Sequence, residues 1–162
     1  NLEDGQADGR LSPLELQIQK IQALCELKKE LDLPFVINAR TCAYWLNIGS
    51  EEEKLAEAVR RGNAFVEAGA DCVFVPGAMN QETARALVSG IHAPLNLILN
   101  GVYHDFAGLA KLGVRRLSTG SGPVRYLCEE TMKMAEKIKD GDVDAVLQST
   151  FSYAKANAFF QK

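Results

Sequence analysis

Residues 65–77 read FVEAGADCVFVPG, and residues 109–121 repeat the same order of features as LAKLGVRRLSTGS. In both stretches a helical pattern stops at a glycine, a short apolar strand follows, and another glycine comes soon after the strand. A helix that leads straight into a strand is half of a βα repeat. These stretches therefore predict a fold built from repeated strand and helix units.

The same alternation continues on both sides of these stretches. Helices are predicted at residues 11–31, 50–69, 80–91, 104–113 and 123–141, and strands at 1–4, 33–39, 71–77, 93–101 and 114–122. In the second helix, Ser50 is a typical N-cap residue and Gly69 a typical stop. Strands that alternate with helices of this length pair in parallel through right-handed crossovers. The chain therefore supplies five βα units of an α/β fold.

Two architectures use such units, an open doubly wound sheet and a closed eight-stranded barrel. No GxGxxG motif opens a helix after a strand, so the dinucleotide-binding version of the open sheet lacks its fingerprint. We therefore predict a (β/α)8 TIM barrel, of which residues 1–141 form about the last five βα units. Because the sequence starts without Met and on the last residues of a strand, we expect the earlier strands to precede Asn1.

Residues 142–162 are predicted to form a separate C-terminal helical tail. An apolar stripe at helical offsets runs along this tail, at Phe151, Ala154, Ala158 and Phe159. Such a stripe needs a cover, which could be the chain's own barrel or a second subunit.

The composition excludes several classes of partner. The chain has 162 residues, of which 47% are hydrophobic and 24% charged, and a net charge of −3 with scattered Lys and Arg. This charge distribution argues against a nucleic-acid partner. The apolar runs are far shorter than the ~20 residues that a membrane helix needs, so we expect no membrane partner.

The four cysteines are widely spaced, at Cys25, Cys42, Cys72 and Cys128. Without a CxxC pair, neither a zinc site nor a disulfide framework is predicted, and the pattern favours a reducing cytoplasm. We expect buried thiols. Cys42 lies two residues after Arg40, so a reactive nucleophile is the alternative there.

A candidate site is predicted where FVINARTCAYW, residues 35–45, reaches the carboxyl end of its strand. Arg40 would emerge at the mouth of a barrel, where active sites lie, and Glu3 and Asp4 end the neighbouring strand ~4.8 Å away. A guanidinium suits a carboxylate or phosphonate, and carboxylates suit a hard cation such as Mg²⁺. Spacing alone leaves open the alternative that these groups form a satisfied ion pair.

The segments NLEDG, INART, AGADCVFVPG and LGVRRLSTGSG together resemble the isocitrate lyase and phosphoenolpyruvate mutase superfamily over nearly the whole chain. The resemblance implies a Mg²⁺-dependent (β/α)8 enzyme that makes or breaks C–C or P–C bonds of 2-oxo and related acids through an enolate-pyruvate-like intermediate. By position, Glu3 resembles the acid that holds a metal-bound water, Asp4 its neighbour, and Arg40 the catalytic residue that binds an acid group of the substrate. The other metal ligands would lie before Asn1.

Two departures from the superfamily pattern narrow this expectation. The loop GQADGRLSP, residues 5–13, lacks the Lys-Lys-Cys-Gly-His stretch of the lyases, and Pro76-Gly77 stand where the mutase and its hydrolase relative place a His. Asp8 and Arg10 are candidates for the general acid by position alone. The sequence thus resembles the short-loop members of the superfamily.

We accordingly expect a lyase or decarboxylase that cleaves a C–C bond of a small 2-oxo or 2-hydroxy (di)carboxylic acid. The alternatives are a phosphonate P–C mutase or hydrolase and a non-catalytic carboxylate-binding barrel. A Schiff-base aldolase needs a Lys at a strand end, and none of the predicted strands offers one. Because superfamily members exchange their last helices between subunits, the resemblance also implies a homo-oligomer, a dimer or tetramer.

Overall fold

The structure, a computed structural model, describes residues 1–148 and 151–161. It contains two compact units, Asn1–Thr119 and Gly120–Lys162. The first unit holds all the strands among the described residues. The domain boundary predicted between residues 141 and 142 falls inside the second unit. The assignment of residues 1–141 to the barrel and of residues 142–162 to a tail stays a prediction.

The first unit is a parallel sheet whose strands follow one another in chain order. The strands are β1 (Leu2–Glu3), β2 (Asn38–Arg40), β3 (Cys72–Val75), β4 (Leu95–Ile98) and β5 (Val114–Ser118). They are connected by α1 (Leu14–Glu30), α2 (Glu51–Glu67), α3 (Gln81–Gly90) and α4 (Phe106–Leu112). The predicted alternation and the parallel pairing are confirmed.

Strand β2 differs from its prediction, since it begins at Asn38 and ends at Arg40 rather than covering residues 33–39. The preceding residues bond to the loop before β3: the Asp71 carboxylate accepts the Ile37 N–H at 2.8 Å, and the Ile37 carbonyl accepts the N–H of Asp71 at 3.0 Å. Val36 is exposed. Arg40 is therefore the last residue of the strand itself, held by the ladder.

Helix α2 begins as the sequence predicts. The Ser50 hydroxyl accepts the Glu53 N–H at 3.2 Å, and the Glu53 carboxylate accepts the Ser50 N–H at 2.7 Å, which is a complete capping box. Gly69 follows the helix with φ +106°, a conformation that favours glycine. These two ends fix the helix that packs against β2 and β3.

The two faces of the sheet differ in character. The face that packs against the helices is apolar and buried, with Ala39, Val73, Val75, Leu95 and Leu97. On the other face the register aligns Glu3 with Arg40, Arg40 with Phe74, and Phe74 with Asn96. Because aligned residues of parallel strands share a face, the charged pair lies on the face opposite the helix layer.

The second unit contains α5 (Gly122–Lys139), α6 (Asp144–Leu147) and α7 (Tyr153–Phe160). Helix α5 carries exposed Cys128, so the expectation of a buried thiol is wrong at that position within this unit. The predicted tail includes residues 149, 150 and 162, which lie outside the described residues. No helix within the described ranges is long and apolar enough to cross a membrane.

Candidate active site

Glu3 and Arg40 end the two neighbouring strands β1 and β2 and are partners in register. Arg40 Nη1 lies 2.9 Å from Glu3 Oε2, and the two side chains are 21% and 52% exposed respectively. The structure thus brings together the guanidinium and the carboxylate that the sequence places at adjacent strand ends. Their roles toward substrate and metal stay predictions.

A cavity of about 400 Å³ opens beside this ion pair. It is lined by Glu3, Arg40, residues 5–7 of the loop after β1, and Cys42, Trp45 and Leu46 of the loop after β2. Small-molecule sites typically begin at roughly 300 Å³. The ion pair is therefore open to a space that would accept a small organic acid, and we call this space the Arg40 cavity.

Aromatic rings and a thiol hold the Arg40 guanidinium. Its Cζ atom lies 5.5 Å from the ring centroid of Trp45 and 5.7 Å from that of Phe74. Arg40 Nε donates to Cys42 Sγ at 3.2 Å. No role was assigned to Trp45 or Phe74 from the sequence, although Tyr44 and Trp45, the two aromatic residues that follow Arg40 in NARTCAYW, were a usable signal for Trp45.

Cys42 is buried, and burial raises the pKa of its thiol above the ordinary value, against the opposing effect of Arg40. Its Sγ lies 3.8 Å from Glu3 Oε2. A protonated, buried thiol is a poor nucleophile. The structure therefore favours packing and hydrogen bonding over the predicted alternative of a reactive cysteine.

Asp4 follows Glu3 directly but lies on the opposite side of the strand, facing α2. Its side chain is fully buried, Oδ1 accepts the Cys42 N–H at 2.7 Å, and Oδ2 lies 3.2 Å from Arg61 Nη1. Burial raises the pKa of Asp4 in spite of these partners. The geometry favours a structural role, and the assignment of Asp4 as a metal ligand stays a prediction without support from the Arg40 cavity.

Arg61 was not singled out in the sequence. It lies on α2 with only 7% of its side chain exposed, and its guanidinium also donates to the Ser12 carbonyl at 2.9 Å and to Glu57 at 2.5 Å. The signal was its helical offset from Ala58 and Phe65, because an arginine on a buried helix face needs a carboxylate partner.

The loop after β1 is short and closes on itself. Gln6 N–H donates to the Arg10 carbonyl at 2.8 Å, and Arg10 Nη2 lies 2.6 Å from Asp8 Oδ2. Hydrogen bonding from Arg10 lowers the pKa of Asp8. Neither residue lines the Arg40 cavity. Asp8 and Arg10, the two predicted candidates for the general acid, are therefore poorly placed for that role. The lowered pKa also keeps the Asp8 carboxyl ionised, so it has no proton to donate.

The residues present can supply only part of a metal site. Across residues 1–148 and 151–161, no group of three or more His, Cys, Asp or Glu side chains is arranged to hold a metal ion. Among the described residues, Glu3 supplies the single carboxylate that lines the Arg40 cavity. A half-exposed carboxylate suits a hard cation or a water molecule bound to it. Glu3 therefore fits a single contact to Mg²⁺.

A sequence model of the family described as phosphoenolpyruvate phosphomutase matches residues 1–139. The chain belongs to this family. A relative in Mycobacterium tuberculosis strain H37Rv, the uncharacterized protein Rv1998c, is 32% identical over 143 residues, which cover 88% of this chain and 52% of the relative. The chain thus spans about half the length of the curated relatives that it matches.

Solved structures place the sheet in the predicted barrel type. Phosphonopyruvate hydrolase superposes with a TM-score of 0.71 at 28% identity, over 91% of this chain and 54% of that one. 2,3-Dimethylmalate lyase, a member of the phosphoenolpyruvate mutase and isocitrate lyase superfamily, gives a TM-score of 0.71 at 24% identity, over 85% and 48% of the two chains, and shows similarity of fold alone. The predicted superfamily and the TIM-barrel class, of which the sheet is a part, are confirmed.

Proposed function

We propose that the full-length protein is a Mg²⁺-dependent lyase or decarboxylase that cleaves a C–C bond of a small 2-oxo or 2-hydroxy (di)carboxylic acid. The chain belongs to a superfamily of lyases, mutases and hydrolases, as the comparisons above show. The proposal is supported chiefly by one observation. A guanidinium and a carboxylate lie side by side at the carboxyl ends of parallel strands and open onto the Arg40 cavity.

Arg40 would bind the substrate carboxylate. Its guanidinium is permanently charged, and charge-assisted pairs of this kind are roughly twice as strong as neutral hydrogen bonds. Arg40 is the cationic side chain among the described residues that line the cavity. One acid group of the substrate would therefore be fixed at this end of the site.

Glu3 would hold Mg²⁺ through a bound water, together with ligands from outside this chain. When bound, Mg²⁺ would supply Lewis-acid stabilisation of negative charge on the substrate oxygen. Trp45 and Leu46 line the same cavity and would limit access of water to the reacting bond.

A second candidate, cleavage of a P–C bond, is favoured by the family match and by the phosphonopyruvate hydrolase similarity. Phosphonopyruvate is also a 2-oxo acid, so Arg40 would have the same role there. A phosphonate carries more charge than a carboxylate, however, and the described lining offers it a single cation. We therefore rank C–C cleavage first.

The test is release of pyruvate by the full-length protein from oxaloacetate, 2-methylisocitrate and phosphonopyruvate, with Mg²⁺ and with EDTA. Turnover of oxaloacetate or 2-methylisocitrate that is abolished by EDTA supports the leading proposal. Release of inorganic phosphate from phosphonopyruvate alone would favour the second candidate. A protein that binds these acids without turning over any of them would be a carboxylate-binding barrel.

Replacement of Arg40 by Ala should lower kcat/KM by at least roughly 100-fold, because a charge-assisted contact to the substrate is lost. The matched control is Arg60→Ala, which removes a half-exposed arginine on α2 that pairs with Glu57 away from the cavity. Circular dichroism should show both variants folded. Unchanged kcat/KM in Arg40→Ala would remove Arg40 from the site.

We further propose a cytoplasmic homo-oligomer, a dimer or tetramer, in which residues 142–162 contribute to the interface. The support is helix α7, where Phe159 of the predicted apolar stripe and the adjacent Phe160 are both exposed within their unit. Mass measurement of a protein ending at residue 141 tests the interface. Retention of the complete oligomer would contradict it.

A further inference from the structure

The guanidinium of Arg40 has two distinct edges that could receive a carboxylate. A carboxylate can bind side-on, to Nε and one Nη nitrogen, or end-on, to both Nη nitrogens. In this structure Nε already donates to Cys42 Sγ at 3.2 Å. Glu3 Oε2 lies 2.9 Å from Nη1 as an ion-pair partner, and no side chain among the described residues accepts a hydrogen bond from Nη2, so the Nη1–Nη2 edge is the one left for a ligand.

The plane of the guanidinium is also fixed. The rings of Trp45 and Phe74 lie 5.5 Å and 5.7 Å from Cζ, within the range of cation–π contacts. Phe74 is buried in the sheet, whereas Trp45 is 57% exposed and lines the Arg40 cavity. Trp45 can therefore be substituted without disturbing the core of the sheet, whereas Phe74 cannot.

The thiol of Cys42 is itself held in place. It accepts from Arg40 Nε, and its Sγ lies 3.8 Å from Glu3 Oε2. Gly5, in the loop after β1, lies against this thiol: a Cβ atom at position 5 would be only 2.9 Å from Cys42 Sγ. Because the thiol has no room to move toward that loop, it can keep Nε occupied while a ligand binds.

We infer that Cys42 and Trp45 are positioning residues, which together present only the Nη1–Nη2 edge of Arg40 to the carboxylate of the substrate. The inference rests on the proposed function of the Arg40 cavity. Cys42 blocks side-on binding by occupying Nε, and Trp45 limits rotation of the guanidinium plane. A flexible arginine that is ordered in advance loses less conformational freedom when it binds.

Calorimetric titration of the full-length protein with oxalate, in the presence of Mg²⁺, tests the inference. Cys42→Ala should weaken oxalate binding roughly tenfold, the size of one hydrogen bond to a charged group. Cys42→Ser can still accept from Nε and should stay within roughly threefold of the wild type. Trp45→Leu should weaken binding roughly fivefold, and Trp45→Phe less, because phenylalanine keeps a π face.

Two control variants match these changes. Cys72→Ala removes another buried thiol, whose Sγ donates to the Val73 carbonyl at 3.9 Å and does not line the cavity, and Phe106→Leu removes an exposed aromatic ring outside the cavity. Both should leave oxalate affinity unchanged. Since Trp45 is largely exposed, its variants keep the test valid even if Cys42→Ala fails to fold.

A double-mutant cycle separates positioning from general loosening of the structure. In an Arg40→Ala background, Cys42→Ala should change oxalate affinity by less than about twofold, because its partner is absent. Unchanged affinity in both Cys42→Ala and Trp45→Leu would overturn the inference, and so would an equal loss in Cys72→Ala. Wild-type protein that binds no oxalate would also overturn the inference, whereas the proposed function itself is decided by the release of pyruvate in the turnover test above.

Discussion

Two neighbouring residues, Glu3 and Asp4, each pair with an arginine, and the two pairs lie on opposite sides of the same strand. Glu3 meets Arg40 beside a cavity, with 52% of the Glu3 side chain exposed. Asp4 meets Arg61 beneath the helix layer, where the side chains are 0% and 7% exposed. A ligand can therefore replace one partner of the Glu3–Arg40 pair, whereas no ligand can reach the Asp4–Arg61 pair.

The difference shows how the same chemistry serves two purposes. A sealed ion pair contributes little net stability relative to apolar packing, yet loss of one partner leaves a buried charge without compensation. An open pair is weak in water, so a ligand can replace one partner at small cost. Asp4 and Arg61 therefore tie β1 to α2, while Glu3 and Arg40 are available for binding.

The largest expected effect comes from breaking the sealed pair. Arg61→Met should lower the free energy of unfolding by about 3–5 kcal/mol, because Asp4 is left buried without its charged partner. Urea unfolding of the full-length protein measures this loss. The same substitution at Arg40 should change stability by less than about 1 kcal/mol, as expected for a partly exposed pair.

Equal destabilisation by Arg61→Met and Arg40→Met would show that the two pairs are not distinct in the way proposed. A double variant, Asp4→Asn with Arg61→Met, gives a further check. If the cost arises from an unpaired charge, the double variant should be more stable than Arg61→Met alone.

Parts of this comparison could be read from the sequence. Helices alternating with strands predicted a parallel sheet, and parallel strands necessarily place their carboxyl ends at one edge. That argument alone brought Glu3 near Arg40, and the register confirms the proximity. Likewise, Ser50 made the start of α2 predictable as a typical N-cap, because capping depends only on local spacing, and the structure adds Glu53 to complete a capping box.

Other parts depend on contacts that local patterns do not encode. Arg61 meets Asp4 across 57 residues of chain, so only the packed fold reveals the pair. The sequence pattern placed Glu3 and Asp4 together at the candidate site. Successive side chains of a strand point to opposite faces, so only one of the two can face the Arg40 cavity. The start of β2 was misplaced because the Asp71 side chain takes the N–H of Ile37 before the ladder begins.

A smaller effect is expected from Glu3→Gln on the open side. The Glu3 carboxylate pairs with Arg40 at 2.9 Å and repels anions, so its neutralisation should tighten oxalate binding up to roughly fivefold in the absence of Mg²⁺. The enhancement of binding that Mg²⁺ provides should shrink at the same time, because a carboxylate contact to the cation is lost. Calorimetry with and without Mg²⁺ measures both changes.

For this variant the matched control is Glu57→Gln, which neutralises a carboxylate bound to Arg60 and Arg61 on α2 and does not line the cavity. Oxalate affinity should not respond to it. If Glu3→Gln weakens oxalate binding without Mg²⁺, then Glu3 supports the ligand rather than competing with it for Arg40.

The smallest effect is expected at a third pair, Asp8 with Arg10, in the loop after β1. Hydrogen bonds from Arg10 lower the pKa of Asp8, so its carboxyl is ionised at neutral pH and cannot donate a proton. The pair also lies outside the lining of the Arg40 cavity. Asp8→Asn should therefore leave kcat within about twofold of the wild-type value, since general acid catalysis typically contributes at least roughly 100-fold. A 100-fold loss of kcat, measured at saturating substrate, would return Asp8 to the role of proton donor. It would also mean that the loop opens on binding, because the paired conformation cannot supply that proton.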